Sequence, residues 1–422
     1  MSATVTATVT DICRRARAAS TVIRELTTEV KDQVLREMAD AIDAAAEALK
    51  EANALDVAAA RAAGTSATLV DRLTLTDKRI AGMTGAIRTI IDLPDPVGQV
   101  EGGRTRPNGL RIEHVREPLG VVAVIYEARP NVTADVAALC LKSGNAAVLR
   151  GSSIAQHTNA AIADVLAEVL RARQDVPDDA VQLIRDTSRE AAMELLHADG
   201  LVDLLVPRGG PSLIQTVKDN ATVPTVIDGD GNCHVYVDAS ADLARATDIV
   251  VNGKTSRPSV CNAVETLLVH RDLSADWLPK VLDTLQGLGV SIRGDERVRE
   301  VWPAAAEAQD SDWETEYLDL ILAVKVVDDL DEAVRHIDRY GTRNAEGIVA
   351  QDYDVARRFA LAVDSGSVFV NTSTRYSDGG EFGYGVEIGV STQKLHARGP
   401  MGLESLTCVK NVVWGSGQIR VI

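Results

Sequence analysis

Through the first hundred positions, apolar residues recur at three- and four-residue steps. In "LREMADAIDAAAEALKEAN", residues 35–53, Leu35, Met38, Ile42, Ala46 and Leu49 share one face, which predicts an amphipathic helix. Thr27 or Thr28 suits its amino-terminal cap, and Gly64 suits the end of the next helix. The period breaks at Pro94 and Pro96 in "LPDPVGQV". Polar-alternating arms then flank Asn108-Gly109, a hairpin signal, and such an arm outside a core would suit oligomer contacts.

From Gly120 the pattern changes to short apolar runs alternating with helical segments. "GVVAVIYE", "AAVLRG", "VQLI" and "LVDLLVP" read as strands, while "NVTADVAALCLKSG", "IAQHTNAAIADVLAEVLRAR" and "REAAMELLHADG" read as helices. Such alternation predicts right-handed crossovers and a parallel, doubly wound α/β sheet. Ligands of these sheets sit beyond the strands' carboxyl ends. Arg150-Gly151-Ser152-Ser153 and Arg208-Gly209-Gly210 stand there, each before a predicted helix whose N–H groups would meet an anion. A second unit begins near "CHVYVD" and continues the alternation to about residue 370. The tail "SLTCVKNVVWGSGQIRVI" alternates like an edge strand with a turn. Without a low-complexity linker, the two domains are expected to pack closely, with the site in a cleft between them.

Length, 422 residues, fits two or three domains, and 45% apolar with 25% charged residues is ordinary for a soluble protein. A formal charge of −17 without a long basic tract argues against a nucleic-acid backbone as partner. No stretch approaches the roughly 20 apolar residues of a bilayer span, and the amino terminus lacks the pattern of a secretory signal. Five cysteines, at 13, 140, 233, 261 and 408, are odd in number and widely spaced. That favours a reducing cytoplasm over a disulfide framework, and with no CxxC or HExxH spacing a metal is not expected.

Two nucleotide motifs fail on inspection. Gly253-Lys254-Thr255 resembles the end of a phosphate loop, but Asp248 stands where the first glycine belongs. "GDGNCH" begins like a dinucleotide fingerprint, yet ends at His234 outside any strand–helix frame.

A buried, inert cysteine is the ordinary case, and Cys140 and Cys408, with apolar neighbours, read as core. Cys233 is ambiguous, and its neighbour His234 reads as structural. Cys261 differs, because Lys254 and Arg257 precede it in a loop entering a strand and would stabilise a thiolate. The glycine-rich segment 371–402 carries Arg375, Lys394, His396 and Arg398. It is either a solvated loop or a cradle for a substrate anion.

Three segments, "REPLGVVAVIYEARPNVTADVAALCLKSGNAAVLRG", "NGKTSRPSVCNAVETLLVH" and "STQKLHARGPMGLE", resemble the gamma-glutamyl phosphate reductase family of the aldehyde dehydrogenase superfamily. The similarity spans nearly the whole chain. It implies an aldehyde dehydrogenase-like fold: an NADP-binding domain (1–97 and 119–232), a catalytic domain (233–403) and a β-hairpin oligomerisation arm (98–118 and 404–422). It implies reduction of L-glutamyl 5-phosphate to the semialdehyde, in proline biosynthesis, by a cytoplasmic homo-oligomer. Cys261 matches the superfamily nucleophile, which would carry a thioester, with its own N–H and the Asn131 amide holding the oxyanion. Glu316 matches the carboxylate that meets the nicotinamide ribose. Arg257, Arg375, His396 and Arg398 are expected at substrate anions.

Cofactor and direction follow from departures. Oxidising relatives place a water-activating glutamate 34 residues before the nucleophile, and here Ile227 stands there with Asp228 beside it. Arg150 takes the place of a lysine at the adenosine ribose, and Ser153 the place of a glutamate in NAD-preferring relatives. A guanidinium without that carboxylate favours a 2′-phosphate, hence NADPH. Asn344 and Ala345 replace a histidine and a hydroxyl residue usual in the family. An aldehyde dehydrogenase acting on another acyl group, or a non-enzymatic scaffold, is the alternative. Contact with glutamate 5-kinase is a further expectation, because an acyl phosphate is labile.

Overall fold

The computed structural model describes residues 7–420, so the outermost ends of the expected domain ranges and of the amino-terminal segment lie outside it. The chain divides into two compact units: residues 1–227 with 384–389 and 401–422, and residues 228–383 with 390–400.

The first unit opens with five helices: α1 (Val9–Ile23), α2 (Thr28–Ala44), α3 (Ala46–Ala62), α4 (Ala67–Leu73) and α5 (Asp77–Asp92). Thr27 caps α2 by accepting the Val30 N–H, and Leu35, Met38 and Ile42 form its buried stripe. The expected single helix over 35–53 is divided at Ala45, which caps α2 by donating its N–H to Ala41 O. Leu49 is consequently buried as part of α3. An all-apolar spacing could not reveal the break, since Ala suits either side of it.

Next come the hairpin β1 (Val100–Thr105) and β2 (Arg111–Pro118), closed by Gly109 at φ +85°. A strand from the chain's end, β16 (Thr407–Trp414), pairs antiparallel along β2, giving the order β1–β2–β16. Cys408, expected in the core, is exposed on β16. Its apolar neighbours belong to a two-sided outer sheet rather than to a buried strand.

The alternating part follows as expected: β3 (Val121–Tyr126), α6 (Asn131–Lys142), β4 (Ala146–Gly151), α7 (Gln156–Arg171), β5 (Val181–Leu183), α8 (Arg189–Leu196), β6 (Leu204–Arg208) and α9 (Pro211–Asn220). The sheet is parallel with order β5–β4–β3–β6. All six residues of β3 are buried, as a sheet covered on both faces requires.

The second unit holds a seven-stranded parallel sheet. Its elements are β7 (Cys233–Val237), α10 (Leu243–Thr255), β8 (Val264–His270), α11 (Leu278–Gly287), β9 (Ser291–Gly294), α12 (Glu296–Val301), β10 (Ala306–Glu307), β11 (Ile321–Val327), α13 (Leu330–Tyr340), β12 (Ala345–Val349), α14 (Tyr353–Ala362) and β13 (Ser367–Val370). The order is β10–β9–β11–β8–β7–β12–β13. Successive residues feed opposite faces: Val235 and Leu267 pack with α10 and α11, Tyr236 and Leu268 with α13 and α14. A two-residue ladder, β14 (Val390–Ser391) and β15 (Gly399–Pro400), completes it. No helix among the described residues is long and apolar enough to cross a membrane.

Buried charge ties α2 to the segment that follows α5. Lys31, wholly buried on α2, meets Asp95 at 2.8 Å, and Asp95 also accepts from Thr28 Oγ1 and the Val97 N–H. Asp95→Ala would strand a buried ammonium. The expected loss is about 3–5 kcal/mol of unfolding free energy, read by urea denaturation, whereas Lys50→Ala at an exposed pair should leave the urea midpoint nearly unchanged.

Candidate active site

Cys261 is half-buried, in the α10–β8 connection, three residues before β8 begins. The neighbouring residue fixes this loop. Asn262 donates to the Ser377 carbonyl at 3.0 Å and its own carbonyl accepts Thr374 Oγ1 at 2.8 Å. On the other side runs the strap 228–232, leading into β7. Gly231 lies so close that a Cβ there would sit 1.8 Å from the Cys261 carbonyl oxygen, so only glycine fits. The thiol of Cys233, deeply buried and pushed up by burial, donates to that same carbonyl at 3.2 Å.

The strap is fastened from several sides. Asn232 donates through its amide to Trp313 O and Tyr340 O, and its N–H to Thr342 Oγ1 at 3.0 Å. Gly231 donates its N–H to Glu316 Oε1 at 2.8 Å. Burial pushes the Glu316 carboxyl up to about 7, with Asp228 and Asp230 adding to the rise and the Gly231 N–H opposing it. Asp228 accepts the Val390 N–H at 3.0 Å.

These groups gather at the amino edge of the seven-stranded sheet. Gly231 precedes β7, Cys261 precedes β8 and Glu316 precedes β11. The carboxyl-end rule therefore applies to the predicted residues of the first unit and fails for Cys261. Helix α10 ends beside this edge, and helix carboxyl termini disfavour anions, so positive side chains must supply the attraction. Lys254 does not. It is wholly buried and pairs with Glu265 at 2.5 Å, contrary to the expectation that its charge stabilises a thiolate. Arg375 lies within electrostatic reach of Cys261 and Arg257, and burial pushes its guanidinium down. It donates through Nε to Ser256 Oγ at 3.1 Å and through a second nitrogen to Asn262 Oδ1.

The remaining cations of segment 371–402 are differently disposed. Arg398 and Lys394 both pair with Asp364, each at 2.9 Å, while His396 is exposed. Asn344 is buried with neither side-chain polar atom hydrogen-bonded, and Ala345 opens β12, also buried.

In the first unit, Arg150, Gly151, Ser152 and Ser153 lie at the carboxyl end of β4 and the turn after it. Arg150 donates to the carbonyls of Thr187 and Ser188, both at 2.8 Å. A cavity of about 170 Å³ is lined by Gly151, Ser152, Asn159, Arg185 and Thr187, among others. Two buried atoms on its wall, Ser152 Oγ and Asn159 Nδ2, have no hydrogen-bond partner. A ligand rich in oxygen acceptors suits such a wall. Arg185, which pairs with Asp164, was missed from sequence; its place in "VQLIRD", just past β5, was the signal. Gly209 is pressed against Glu127, whose carboxylate accepts the Gly210 N–H at 3.1 Å and so already caps α9. Asn131, first residue of α6, donates its amide to Asp135 at 2.7 Å. A larger cavity beside α1, α7 and β5 contains none of the predicted residues.

A half-buried thiol facing a guanidinium thus stands at the amino edge of one parallel sheet, and a pocket with unpartnered polar atoms stands at the carboxyl end of another. The sequence profile of the aldehyde dehydrogenase family matches residues 1–309, and the chain belongs to that family. The similar curated relatives are gamma-glutamyl phosphate reductases. One from Thermobifida fusca is 53% identical over 412 residues, covering 98% of each chain. One from Moorella thermoacetica is 53% identical, covering 96% of this chain and 97% of its own. The crystal structure of gamma-glutamyl phosphate reductase from Thermotoga maritima matches with a TM-score of 0.96 at 44% identity, covering 98% and 100%.

Gly231→Ala tests the strap. The Cβ must displace Cys261 by about 1 Å, which should lower kcat about 100-fold while circular dichroism stays unchanged. Turnover within a few-fold of the parent would mean that the strap does not set the thiol.

Proposed function

We propose that this chain reduces L-glutamyl 5-phosphate to L-glutamate 5-semialdehyde and phosphate with NADPH, through a thioester on Cys261, as the second step of proline biosynthesis from glutamate. The observation that carries the proposal is whole-length similarity, at about half identity, to enzymes named gamma-glutamyl phosphate reductase, with Cys261 inside the matched segments.

The Cys261 thiolate attacks the acyl carbon, the carbon–oxygen bond to phosphate breaks, and phosphate leaves. Arg375 and Arg257 favour the thiolate and the leaving phosphate by charge. The Cys261 N–H and the Asn131 amide are the proposed oxyanion donors, each typically worth about 3 kcal/mol. Bound NADPH supplies the hydride that takes the acyl group to the aldehyde level. Collapse of the resulting hemithioacetal returns the thiolate. Arg398 and His396 are proposed substrate contacts; the Arg398 charge is shared with Asp364, which weakens its pull on an anion.

Arg150, Gly151, Ser152 and Ser153 would hold the adenosine end of the cofactor, Arg208, Gly209 and Gly210 its diphosphate, and Glu316 the nicotinamide ribose. The unpartnered Ser152 and Asn159 atoms and the nearby Arg185 support a 2′-phosphate in the small cavity. Ile227 cannot activate water, and the Asp228 carboxylate is engaged by the Val390 N–H, which supports reduction over hydrolysis. The domain ranges proposed from sequence belong to the same reading, as does a cytoplasmic homo-oligomer joined through residues 98–118 and 404–422. So does transient contact with glutamate 5-kinase.

The reverse reaction is the test. Semialdehyde and NADP should yield more than one NADPH per Cys261 only with phosphate or arsenate, and Cys261→Ala should reduce the rate to background. Sustained NADPH formation without either anion, beyond that first equivalent, would indicate a hydrolytic enzyme and overturn the proposal. In the same assay kcat/KM for NADP should exceed that for NAD by about tenfold or more, equivalent to one charge-assisted contact. Equal efficiencies would remove the assignment of the 2′-phosphate site.

A further inference from the structure

Lys254 and Glu265 form an ion pair with both side chains fully buried, at 2.5 Å, behind the loop that carries Cys261. A buried pair is weak support for stability, since apolar residues of like size often serve as well. Its placement gives it a use. The second oxygen of Glu265 accepts the Leu318 N–H at 3.2 Å. Leu318 adopts φ +54°, a left-handed backbone uncommon for a branched side chain, so this turn needs an external hold. Two residues earlier stands Glu316, whose carboxylate receives the Gly231 N–H above Cys261. Between them, the Tyr317 ring lies 6.0 Å from Lys254 Nζ. Lys254 also interacts electrostatically with Glu316, so one buried cation faces the buried Glu265 and the half-buried Glu316 carboxylates.

We propose that the Lys254–Glu265 pair is a positioning element for Glu316: it locks the 316–318 turn through the Leu318 amide and thereby fixes the carboxylate that meets the cofactor ribose. The proposal deepens the assignment of Glu316 and rests on it. Lys254 and Glu265 touch neither substrate nor cofactor, and act only through that turn.

The experiment measures NADPH binding by fluorescence titration, and KM and kcat, for Glu316→Ala, Glu265→Gln, Lys254→Met and the double variant Lys254→Met/Glu265→Gln. Glu265→Gln sets an amide N–H₂ against the ammonium and breaks the pair. In the double variant the glutamine oxygen can still accept the Leu318 N–H with no buried charge left over. Each single change should raise the NADPH Kd and KM by about tenfold, with kcat less affected, and the double variant should recover much of that loss. If Glu265→Gln does not fold, Glu265→Asp, one methylene too short to reach both partners, should show the same split. Single variants whose Kd stays within twofold of the parent, while Glu316→Ala weakens binding, would overturn the positioning role alone. A Glu316→Ala protein with undiminished affinity would overturn the ribose assignment and, with it, this proposal.

Discussion

The close approach of Gly231 to Cys261 is the constraint on which the second unit's site depends. A backbone without a side chain passes over a carbonyl, and everything around it keeps those two segments in register. Glu316 takes the Gly231 N–H, Asn232 is bound by three backbone or hydroxyl partners, and Cys233 donates its thiol to Cys261 from beneath. Packing of main chain on main chain thus sets the backbone that carries the Cys261 thiol, and small displacements there are costly to chemistry that needs aligned reacting atoms.

A second consequence concerns charge. Parallel α/β sheets usually receive anions at the carboxyl ends of strands, where helix amino termini supply positive potential. In the first unit the predicted cofactor residues do lie at the strands' carboxyl ends, although carboxylates of the chain already meet the helix starts there, Asp56 accepting the His157 and Thr158 N–H groups and Glu127 the Gly210 N–H. In the second, Cys261, the proposed nucleophile, stands at the amino edge, beside the carboxyl end of α10, whose dipole disfavours an anion. Side chains must supply positive charge there instead, and Arg375, held by Ser256 and Asn262, is tied to the loop that carries Cys261. Lys254, although nearer in sequence, has been turned inward to neutralise Glu265.

Much of this was legible in the sequence for identifiable reasons. Within "GVVAVIYE" and "AAVLRG" the strands β3 and, apart from Arg150, β4 are buried because both faces of a parallel sheet are covered, and Asn108-Gly109 makes the turn its backbone freedom predicts. The position of Cys261 in a loop before a strand was equally plain. The fate of Lys254 was not, because its partner lies eleven residues on, inside β8, and a buried glutamate looks like any other strand residue in sequence. The role of Gly231 was hidden for a related reason: it belongs to a string that resembled a nucleotide fingerprint, and its purpose is a contact with residue 261. The division at Ala45 and the exposure of Cys408 depend on tertiary surroundings that local spacing does not encode.

The most direct test is to look for the covalent bond. The enzyme would be mixed with semialdehyde and NADP without phosphate, quenched in acid so that the substrate's α-amine cannot displace the acyl group, digested and analysed by mass spectrometry. A glutamyl group on the peptide containing Cys261, removed by brief addition of phosphate before the quench, is the predicted result. A peptide that stays unmodified while NADPH forms, or an adduct on a different residue, would contradict the account.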